Sequence, residues 1–532
     1  MKKPFSPSPS KLKKWLVALA RSLSSAALWI CAITLAAGAA QAELRLPHLL
    51  SDHAVLERNR PIHIWGWADP SEAITVQFHG QSVITVANRL GDWELWLAPE
   101  QAGGPYTMTI TGSKNEPPIT LTDLMVGDVW LASGQSNMQI PMIGFPGSAV
   151  IQNAVQEMAA ASHPDIRLLM VPLTSSPYPL NDQTGQWARC TPQTVRNFSA
   201  VAYLFARDLA EQQHVPVGII DASWGGTPIE SWMSLESLAS HASFMPIFLK
   251  RAQFAAKQAE LAPAMARQKA ADEAAVAAGK PWPKNTIWYP AQESWNPGYL
   301  FNGMISPLTP YTLRGWLWYQ GETNSNDAWV PSLYASLFPA MIEDWRARWH
   351  EGSLPFLYVQ ISSFYSPHEH WGVIRNAQRK TLALRNTGMA VSLDLGLHDN
   401  VHPPDKQDVA RRLLLAADHL SYGENLVWQG PLFEQVTRQT LPNRTTLSVT
   451  FDSAQGLYAK GGAVKSFEVE DGSGLWHAAS ATIRSGPMGN RVEVVSPIAD
   501  PVALRYGWAS FTDANLYNRA GLPASTFESA IP

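Results

Sequence analysis

The chain has little that would support chemistry based on disulfides or binding to polyanions. Of its 532 residues only two are cysteines, charged residues make up 16%, and the formal net charge is -4. So little charge provides no basic surface for a nucleic acid, which argues against that class of partner. Cys31 falls in a segment expected to be removed on export, so Cys190 alone remains and no internal disulfide is expected.

Two common catalytic signatures are also missing. His398 and His402 have the i, i+4 spacing of a zinc-binding helix, but the glutamate of an H-E-x-x-H motif is absent, and Pro403 and Pro404 oppose a helix there. No G-x-S-x-G motif occurs, which disfavours the α/β-hydrolase fold. We therefore expect no metal site and no organic cofactor.

The first 42 residues are typical of an export signal. Five lysines precede residue 16, an apolar stretch follows, and the segment ends in A-Q-A at Ala42. This order matches a secretory signal peptide cleaved near Ala42, with the mature chain beginning at Glu43. A membrane anchor is the alternative, although Arg21 and several serines interrupt its first half. We expect a periplasmic or secreted bacterial protein, with no membrane contact once the signal is removed.

Changes in residue pattern divide the remaining chain into three parts. Residues 43–122 alternate polar and apolar positions in short runs, which favours a β-sandwich module. Residues 123–425 alternate strand-like with helical runs, as in a doubly wound parallel α/β sheet. A helical insertion at about 247–290 is rich in alanine, lysine and glutamine and is expected to be a solvated helix, with a lid as a further option. Residues 426–532 are again β-rich and are expected to form a second β module.

A serine follows the run that best fits a buried central strand. Residues 129–133 are mostly apolar, and after Gly134 the chain presents Ser136 between two amides, Gln135 and Asn137. Sheets of this kind bind ligands at the carboxyl ends of their strands, where an enzyme would hold a nucleophile. A polar turn is the plain alternative, because serine and asparagine are common in turns.

A later loop contains an aspartate and a histidine three positions apart. Asp399 and His402 follow a strand-like run at 389–396 and precede a helix for which Asp405 is the expected N-cap. A carboxylate bonded to one imidazole nitrogen leaves the other nitrogen to take a proton from a serine hydroxyl. The two residues are therefore candidate partners of Ser136.

Five segments together resemble the sialate O-acetylesterase family, part of the wider SGNH-type esterases and lipases. They are G-Q-S-N-M at 134–138, S-W-G-G-T-P-I-E-S-W at 223–232, W-Y-Q-G-E-T-N at 318–324, the run at 374–388, and D-N-V-H-P at 399–403. The likeness extends from about Leu44 to the segment at 516–524. It implies an SGNH-hydrolase-like doubly wound parallel sheet, flanked by N-terminal and C-terminal β-rich modules.

The resemblance also implies roles in acyl transfer. Ser136 matches the nucleophile, His402 the general base, and Asp399 the residue that orients the base. The oxyanion hole would use the backbone N–H of Ser136, that of Gly225 with Gly226 as the alternative, and the side-chain amide of Gln320. Many SGNH enzymes carry an asparagine where this chain has Gln320, which is one methylene longer.

The remaining polar residues of these segments are candidates for substrate contact. Gln135 and Asn137 flank the serine, and Glu322 either contacts sugar hydroxyls or serves a structural hydrogen bond. The chain also has 22 tryptophans. Aromatic faces can stack on sugar rings, but most of these residues lie in strand-like stretches and are expected in the core.

Three functions fit these residues. The first is an O-acetylesterase that acts on acetylated sugars, either sialic acid or hemicellulose, through a Ser-His-Asp triad and an acyl-enzyme. The second keeps the site but cleaves another ester, as a lipase or thioesterase does. The third is a non-catalytic carbohydrate-binding protein in which Ser136 only donates a hydrogen bond.

Overall fold

The computed structural model describes residues 43–114, 117–146, 150–280, 293–327, 329–441, 444–486 and 489–532. The predicted signal peptide, residues 1–42, lies outside the described residues. Within the described ranges, no helix combines the length and the apolar character needed to cross a bilayer.

The N-terminal part is built from short strands, and burial alternates along β3 and β5. Its strands are β1 (Val55–Glu57), β2 (Ile62–Trp67), β3 (Ala73–Phe78), β4 (Gln81–Val86), β5 (Asp92–Leu97) and β6 (Gly103–Gly112). β2 pairs with β5, and β3 pairs with β4 and β6. In β5 every second side chain is buried, which places one face of the strand in the core.

One long strand joins this module to the central sheet. β7 (Ile119–Gly134) has 16 residues. Its first half pairs with β6 and β1, and its second half, from Asp128 to Gly134, pairs with central strands. The module boundary expected at residue 122 therefore falls inside a continuous strand, and the two parts share one hydrophobic core.

The central sheet contains six parallel strands. The strands that follow β7 are β8 (His163–Met170), β9 (Trp187–Cys190), β10 (Val217–Ser223), β11 (Gly315–Tyr319), β12 (Phe356–Gln360) and β13 (Thr387–Val391). The order across the sheet is β13-β12-β11-β7-β10-β8-β9, and only β9 runs antiparallel to its neighbour. All residues of β10 to β13 are buried, as expected of parallel strands covered on both faces.

Helices connect the strands of this sheet. They are α1 (Ser136–Gln139), α2 (Ala154–Ala160), α3 (Pro192–Arg196), α4 (Ala200–Gln213), α5 (Leu235–Ala239), α6 (Met245–Ala277), α7 (Tyr334–Trp349), α8 (Trp371–Thr381) and α9 (Lys406–Ser421). Short helical turns of other types lie at Ile229–Trp232, Ala242–Phe244, Glu293–Trp295, Phe301–Ile305, Ser306–Leu308, Thr323–Ser325, Pro331–Leu333 and Leu393–Leu395. The Asp405 side chain caps α9 by accepting from the Asp408 N–H at 2.9 Å, so the predicted N-cap is confirmed.

The C-terminal module is β-rich and has its own hydrophobic core. Its strands are β14 (Leu432–Leu441), β15 (Arg444–Asp452), β16 (Tyr458–Ala459), β17 (Phe467–Glu470), β18 (Trp476–Ala478), β19 (Ser480–Gly486), β20 (Gly489–Val495), β21 (Ala503–Tyr506), β22 (Leu516–Tyr517) and β23 (Phe527–Ala530). They form two four-stranded sheets and a two-stranded one. A mixed α/β centre with β-rich flanks is therefore what the structure has.

Candidate active site

Three of the sequence segments leave the central sheet side by side. Gly134 at the end of β7 is in register with Ser223 at the end of β10 and with Tyr319 at the end of β11. The segments that begin with G-Q-S, S-W-G-G and W-Y-Q-G therefore start at one edge of three adjacent strands. β13, which precedes the histidine loop, is parallel to them and ends at the same edge.

Ser136 sits directly above this edge because the chain turns sharply at Gly134. Gly134 has φ +133, and a Cβ there would lie 2.2 Å from the Tyr319 carbonyl oxygen, so only glycine fits. The Gln135 N–H then donates to that carbonyl at 2.9 Å. Ser136 is the first residue of α1, where N–H groups have no acceptor within the helix. Its side chain is half-buried and lines a cavity of about 1120 Å³.

Gly225 packs directly against the serine. A Cβ on Gly225 would lie 3.2 Å from the Ser136 Cβ, so the S-W-G-G segment approaches the serine closely. The Gly225 N–H donates to Oε1 of Gln139 at 2.7 Å, an acceptor that the sequence analysis missed. Gly226 also lines the cavity, and its carbonyl accepts from the Trp295 indole at 2.8 Å.

His402 lines the same cavity as Ser136, as the sequence predicts. Its ring is half-buried and packs edge-on against Phe145, with ring centroids 5.6 Å apart. The backbone N–H of His402 donates to Oδ1 of Asn400 at 2.9 Å, which helps to fix the conformation of the loop. Removal from water, together with the nearby charge of Lys406, lowers the pKa of His402 to about 4.

Asp399 does not lie against His402 in this structure. Its side chain is 93% exposed and forms an ion pair with Nδ1 of the neighbouring His398. The His398 ring in turn stacks on Tyr365, with centroids 4.6 Å apart. Asp399 and His402, both described, share no hydrogen bond here, so the expected contact between carboxylate and base is absent from this conformation.

Gln320 is not placed as an oxyanion donor, which corrects the sequence expectation. Its side chain is fully buried. Its amide nitrogen donates to the Thr227 carbonyl at 3.1 Å and to Asn324 Oδ1 at 2.6 Å, which uses both amide hydrogens. Its oxygen accepts from the Tyr334 hydroxyl at 2.9 Å. Gln320 therefore supports the loops that surround the cavity.

Asn137 is also a structural residue, contrary to its expected contact with substrate. Its buried amide nitrogen donates to Glu322 Oε1 at 2.6 Å and to the Val401 carbonyl at 3.0 Å. Its oxygen accepts from Lys406 Nζ at 2.7 Å. One side chain thus joins the serine loop, the loop after β11 and the histidine loop. We call Asn137, Glu322 and Lys406 the Asn137 network.

The two ionisable members of the Asn137 network, Glu322 and Lys406, are buried. Burial raises the pKa of Glu322 and lowers the pKa of Lys406 to about 7. Both shifts disfavour the charged forms, and the Asn137 amide gives each group a partner. Glu322 also lines the cavity, so its structural hydrogen bond and a contact with substrate are compatible.

The Gln135 side chain lines the cavity, and its amide oxygen accepts hydrogen bonds from two backbone N–H groups. Its Oε1 accepts from the N–H groups of Thr323 at 3.2 Å and Gly321 at 3.4 Å. The side chain lines the cavity beside Ser136. Its position fits the predicted role in substrate contact.

Most of the tryptophans belong to the core, as expected. Trp65 and Trp93 are buried, whereas Trp96 is 53% exposed. Three tryptophans line the cavity instead, namely Trp295, Trp329 and Trp371. None of the three was predicted to be functional, since only the tertiary structure brings them together.

Gln139 and Lys406 are further residues that the sequence analysis missed. Each had a faint signal, because Gln139 lies one helical turn after Ser136 and Lys406 is the first residue of the capped helix α9. Neither position indicates by itself what its side chain contacts. For metals, the described residues contain no group of three or more His, Cys, Asp or Glu side chains that would hold an ion.

Comparison with known proteins gives consistent matches over most of the chain. The family model described as "Carbohydrate esterase, sialic acid-specific acetylesterase" matches residues 126–285 and 290–417. Sialate O-acetylesterase of Homo sapiens is 32% identical over 515 residues, which covers 87% of this chain and 88% of that protein. The Mus musculus protein of the same name is 32% identical and covers 88% of this chain and 91% of its own length.

A solved structure is similar over nearly the whole length. It is a carbohydrate acetylesterase from Xanthomonas citri, with 35% sequence identity and a TM-score of 0.77. The match covers 92% of this chain and 99% of that chain.

Together with the serine and histidine in one cavity, these matches define the chain as a carboxylic ester hydrolase, and the non-catalytic alternative falls away. It belongs to the sialic acid-specific acetylesterase family of carbohydrate esterases, so the predicted family is confirmed.

Proposed function

We propose that this chain removes O-acetyl groups from carbohydrates through an acyl-enzyme on Ser136. His402 takes the hydroxyl proton while Ser136 attacks the ester carbonyl, and it returns the proton to the departing sugar oxygen. Water then releases acetate in a second step of the same kind. The observation that carries the proposal is that Ser136 and His402 line one cavity in a chain of this family.

The backbone N–H groups of Ser136 and Gly225 are the proposed oxyanion donors, in an SGNH-type arrangement. Gly225 lies against the serine, which supports this role. Gln139 Oε1 accepts from the Gly225 N–H, so a neutral oxygen stands where the ester oxygen would bind. Substrate would displace this side chain. Donors of this kind typically contribute about 3–4 kcal/mol to the transition state.

Asp399 is proposed as the residue that orients His402 during the reaction. This role requires the exposed carboxylate to leave His398 and turn toward His402 within the same loop. Contacts of catalytic groups are often loose without substrate and tighten in the complex. The proximity of the two residues along one loop supports the role.

Acetate release from a substrate panel tests the proposal. Wild type is compared with Ser136→Ala on O-acetylated sialic acids, acetylated xylan and acetylated xyloglucan. We expect release from at least one sugar by wild type and a loss of at least about a thousandfold in Ser136→Ala. A fluorophosphonate should label the peptide that contains Ser136. Equal hydrolysis of a chromogenic acetate ester by both proteins would refute the assignment.

Longer esters distinguish a lipase or thioesterase with the same site. The proposal expects rates with p-nitrophenyl esters to fall as the acyl chain grows beyond acetyl. A maximum at a long acyl chain would identify a different ester as the substrate.

We also propose that the enzyme acts outside the cytoplasm after cleavage near Ala42. The lysine-rich start, apolar stretch and A-Q-A end of residues 1–42 support this. N-terminal sequencing of the protein from a secreting host should find Glu43 as the first residue. An intact N-terminus on active protein in the cytoplasm would contradict the proposal.

A further inference from the structure

One face of the inserted helix α6 forms a wall of the catalytic cavity. Lys250, Gln253, Lys257, Leu261 and Met265 line the cavity together with Ser136 and His402. These five positions are three or four residues apart, so they form a single stripe along a helix. At 1.5 Å per residue the stripe is about 22 Å long. It is cationic at one end and apolar at the other.

The carboxylates that line the cavity with this stripe are bonded to groups of the protein. Glu369 accepts from the Trp371 indole at 2.9 Å and from the Asn326 amide at 3.2 Å. Asp327 pairs with His370 at 2.8 Å. Glu322 also lines the cavity. It belongs to the Asn137 network, and burial raises its pKa and so favours its neutral form.

The two lysines of the stripe, Lys250 and Lys257, differ from these carboxylates in having no ion pair with a described residue. Lys250 donates to the Asp327 backbone carbonyl at 3.3 Å, and neither Lys250 nor Lys257 forms an ion pair with any described residue. Both side chains are exposed at the cavity. The cavity therefore carries charges of both signs. Glu369 and Asp327 are held by groups of the protein, whereas the ammonium groups of Lys250 and Lys257 are exposed and outside any ion pair with a described residue.

From this arrangement we infer that the stripe on α6 selects the substrate, with Lys250 and Lys257 binding the carboxylate of an acidic sugar ester. The inference rests on the proposed function, because it assigns the acidic group of the sugar that Ser136 deacetylates. Leu261 and Met265 then contact the less polar part of the ligand. The cavity, at about 1120 Å³, exceeds what an acetyl group needs and leaves room for the whole sugar.

A matched pair of substrates tests the inference directly. O-acetylated sialic acid is compared with its carboxamide, which has the same shape without the charge. For wild type we expect a lower KM for the acid than for the carboxamide, and this advantage should shrink as salt is added. In Lys250→Gln/Lys257→Gln the KM ratio between carboxamide and acid should fall about tenfold, since each exposed pair contributes modestly. Lys257→Glu should favour the carboxamide.

Lys269→Gln is the matched control on the same helix. Lys269 lies outside the cavity and pairs with Glu273 at 3.8 Å, so its loss should leave the KM ratio unchanged. Equal KM values for acid and carboxamide in wild type, or a double variant with the wild-type ratio, would overturn the inference. Failure of the catalytic proposal would show separately, as undiminished acetate release by Ser136→Ala.

Discussion

At the scale of single residues, the side chain next to the proposed nucleophile links the segments that form the candidate site. Asn137 makes three hydrogen bonds, to Glu322, to the Val401 carbonyl and to Lys406, and those to Glu322 and Lys406 are fully buried. The partners lie 185 to 269 positions away along the chain. The amide therefore couples the position of Ser136 to that of His402, although it contacts neither reacting atom.

Replacing Asn137 should lower both stability and activity. Asn137→Ala leaves the buried Lys406 and Glu322 groups without their amide partner, which we expect to lower the free energy of unfolding by about 2–4 kcal/mol. The value of kcat/KM should fall at least tenfold, because the serine and histidine loops lose their link. Denaturant unfolding and esterase kinetics measure the two effects.

Gln455→Ala is the control for Asn137→Ala. Gln455 is an amide residue of the C-terminal module whose side chain is exposed. Its loss should change the unfolding free energy by less than about 0.5 kcal/mol. A similar small effect for Asn137→Ala would show that the Asn137 network is not a structural link.

Substitutions of the two histidines of the histidine loop, His398 and His402, should differ sharply in their effect on activity. His402→Ala removes the proposed base, so kcat should fall at least about a thousandfold while binding persists. His398→Ala removes an exposed ring that lies outside the cavity lining and should lower kcat only slightly. Steady-state kinetics with p-nitrophenyl acetate compare them. A larger loss in His398→Ala would reassign the base.

The pH profile should show an unusually acidic limb. Burial and Lys406 lower the pKa of His402 to about 4, so the ring stays neutral and able to accept a proton well below pH 6.5. We expect kcat/KM of the free enzyme to fall with a midpoint near pH 4. A midpoint near 6.5 in wild type that moves down in Asp399→Asn would instead show that Asp399 already pairs with the base.

The lowered pKa of His402 also predicts that the folded protein loses stability as the pH falls. The unfolded chain, with an ordinary histidine pKa of about 6.5, binds the proton first as the pH falls. The contribution of His402 to stability is therefore fully present above about pH 6.5 and is lost between there and about pH 4.

At the scale of elements, α1 and the segment after β10 meet through one side chain. Gln139 is the last residue of α1, and its side-chain oxygen accepts a hydrogen bond from the Gly225 N–H. Gln139→Glu would place a carboxylate there, and a charged acceptor binds an N–H more strongly than a neutral one. We expect kcat/KM to fall about a hundredfold, because the carboxylate repels the developing oxyanion.

Gln139→Met tests whether Gln139 competes with substrate for the Gly225 N–H or instead holds Gly225 in place. Methionine has a similar length without a strong acceptor, so the Gly225 N–H becomes free for substrate. We expect kcat/KM at or above the wild-type value in esterase assays. A loss as large as that in Gln139→Glu would mean that the glutamine holds Gly225 in place rather than competing with substrate.

At the scale of the whole molecule, a buried arginine joins the central sheet to the C-terminal module. Arg375 on α8 donates to the Ile361 and Ser362 carbonyls that follow β12, and to the Ala509 and Ser510 carbonyls of the C-terminal module. The module has a core of its own, so this contact bears on how the two parts unfold.

Replacing Arg375 should separate the two parts during unfolding. Arg375→Met leaves the Ile361, Ser362 and Ala509 carbonyls without this donor, and we expect a loss of about 3–5 kcal/mol in unfolding free energy. Calorimetry should then show an early transition of the C-terminal module. Arg484→Met, which removes an exposed pair with Glu493 at 3.4 Å, should change stability by less than about 0.5 kcal/mol. One unshifted transition in both variants would contradict the link.

Local patterns in the sequence were enough to locate the central strands and to predict that Ser136 and His402 line one cavity. The apolar runs before Ser136 and before the histidine loop identify β7 and β13, because hydrophobic pattern is a short-range property. The cap at Asp405 and the family were likewise readable from adjacent residues. The join between the first two modules was not, since continuation of β7 through residue 122 depends on which strands pair with it.

Only the tertiary structure decided what each polar side chain contacts. Gln320 and Asn137 carry the same kinds of amide as an oxyanion donor or a substrate ligand, yet both are bonded to distant loops. The sequence also could not predict that the Asp399 side chain pairs with His398, or which face of α6 lines the cavity. A side-chain rotamer in a loop and the docking of an exposed helix both depend on contacts across the whole chain. The sequence by itself determined which groups end at the sheet edge, and the long-range hydrogen bonds determined which of them face the cavity.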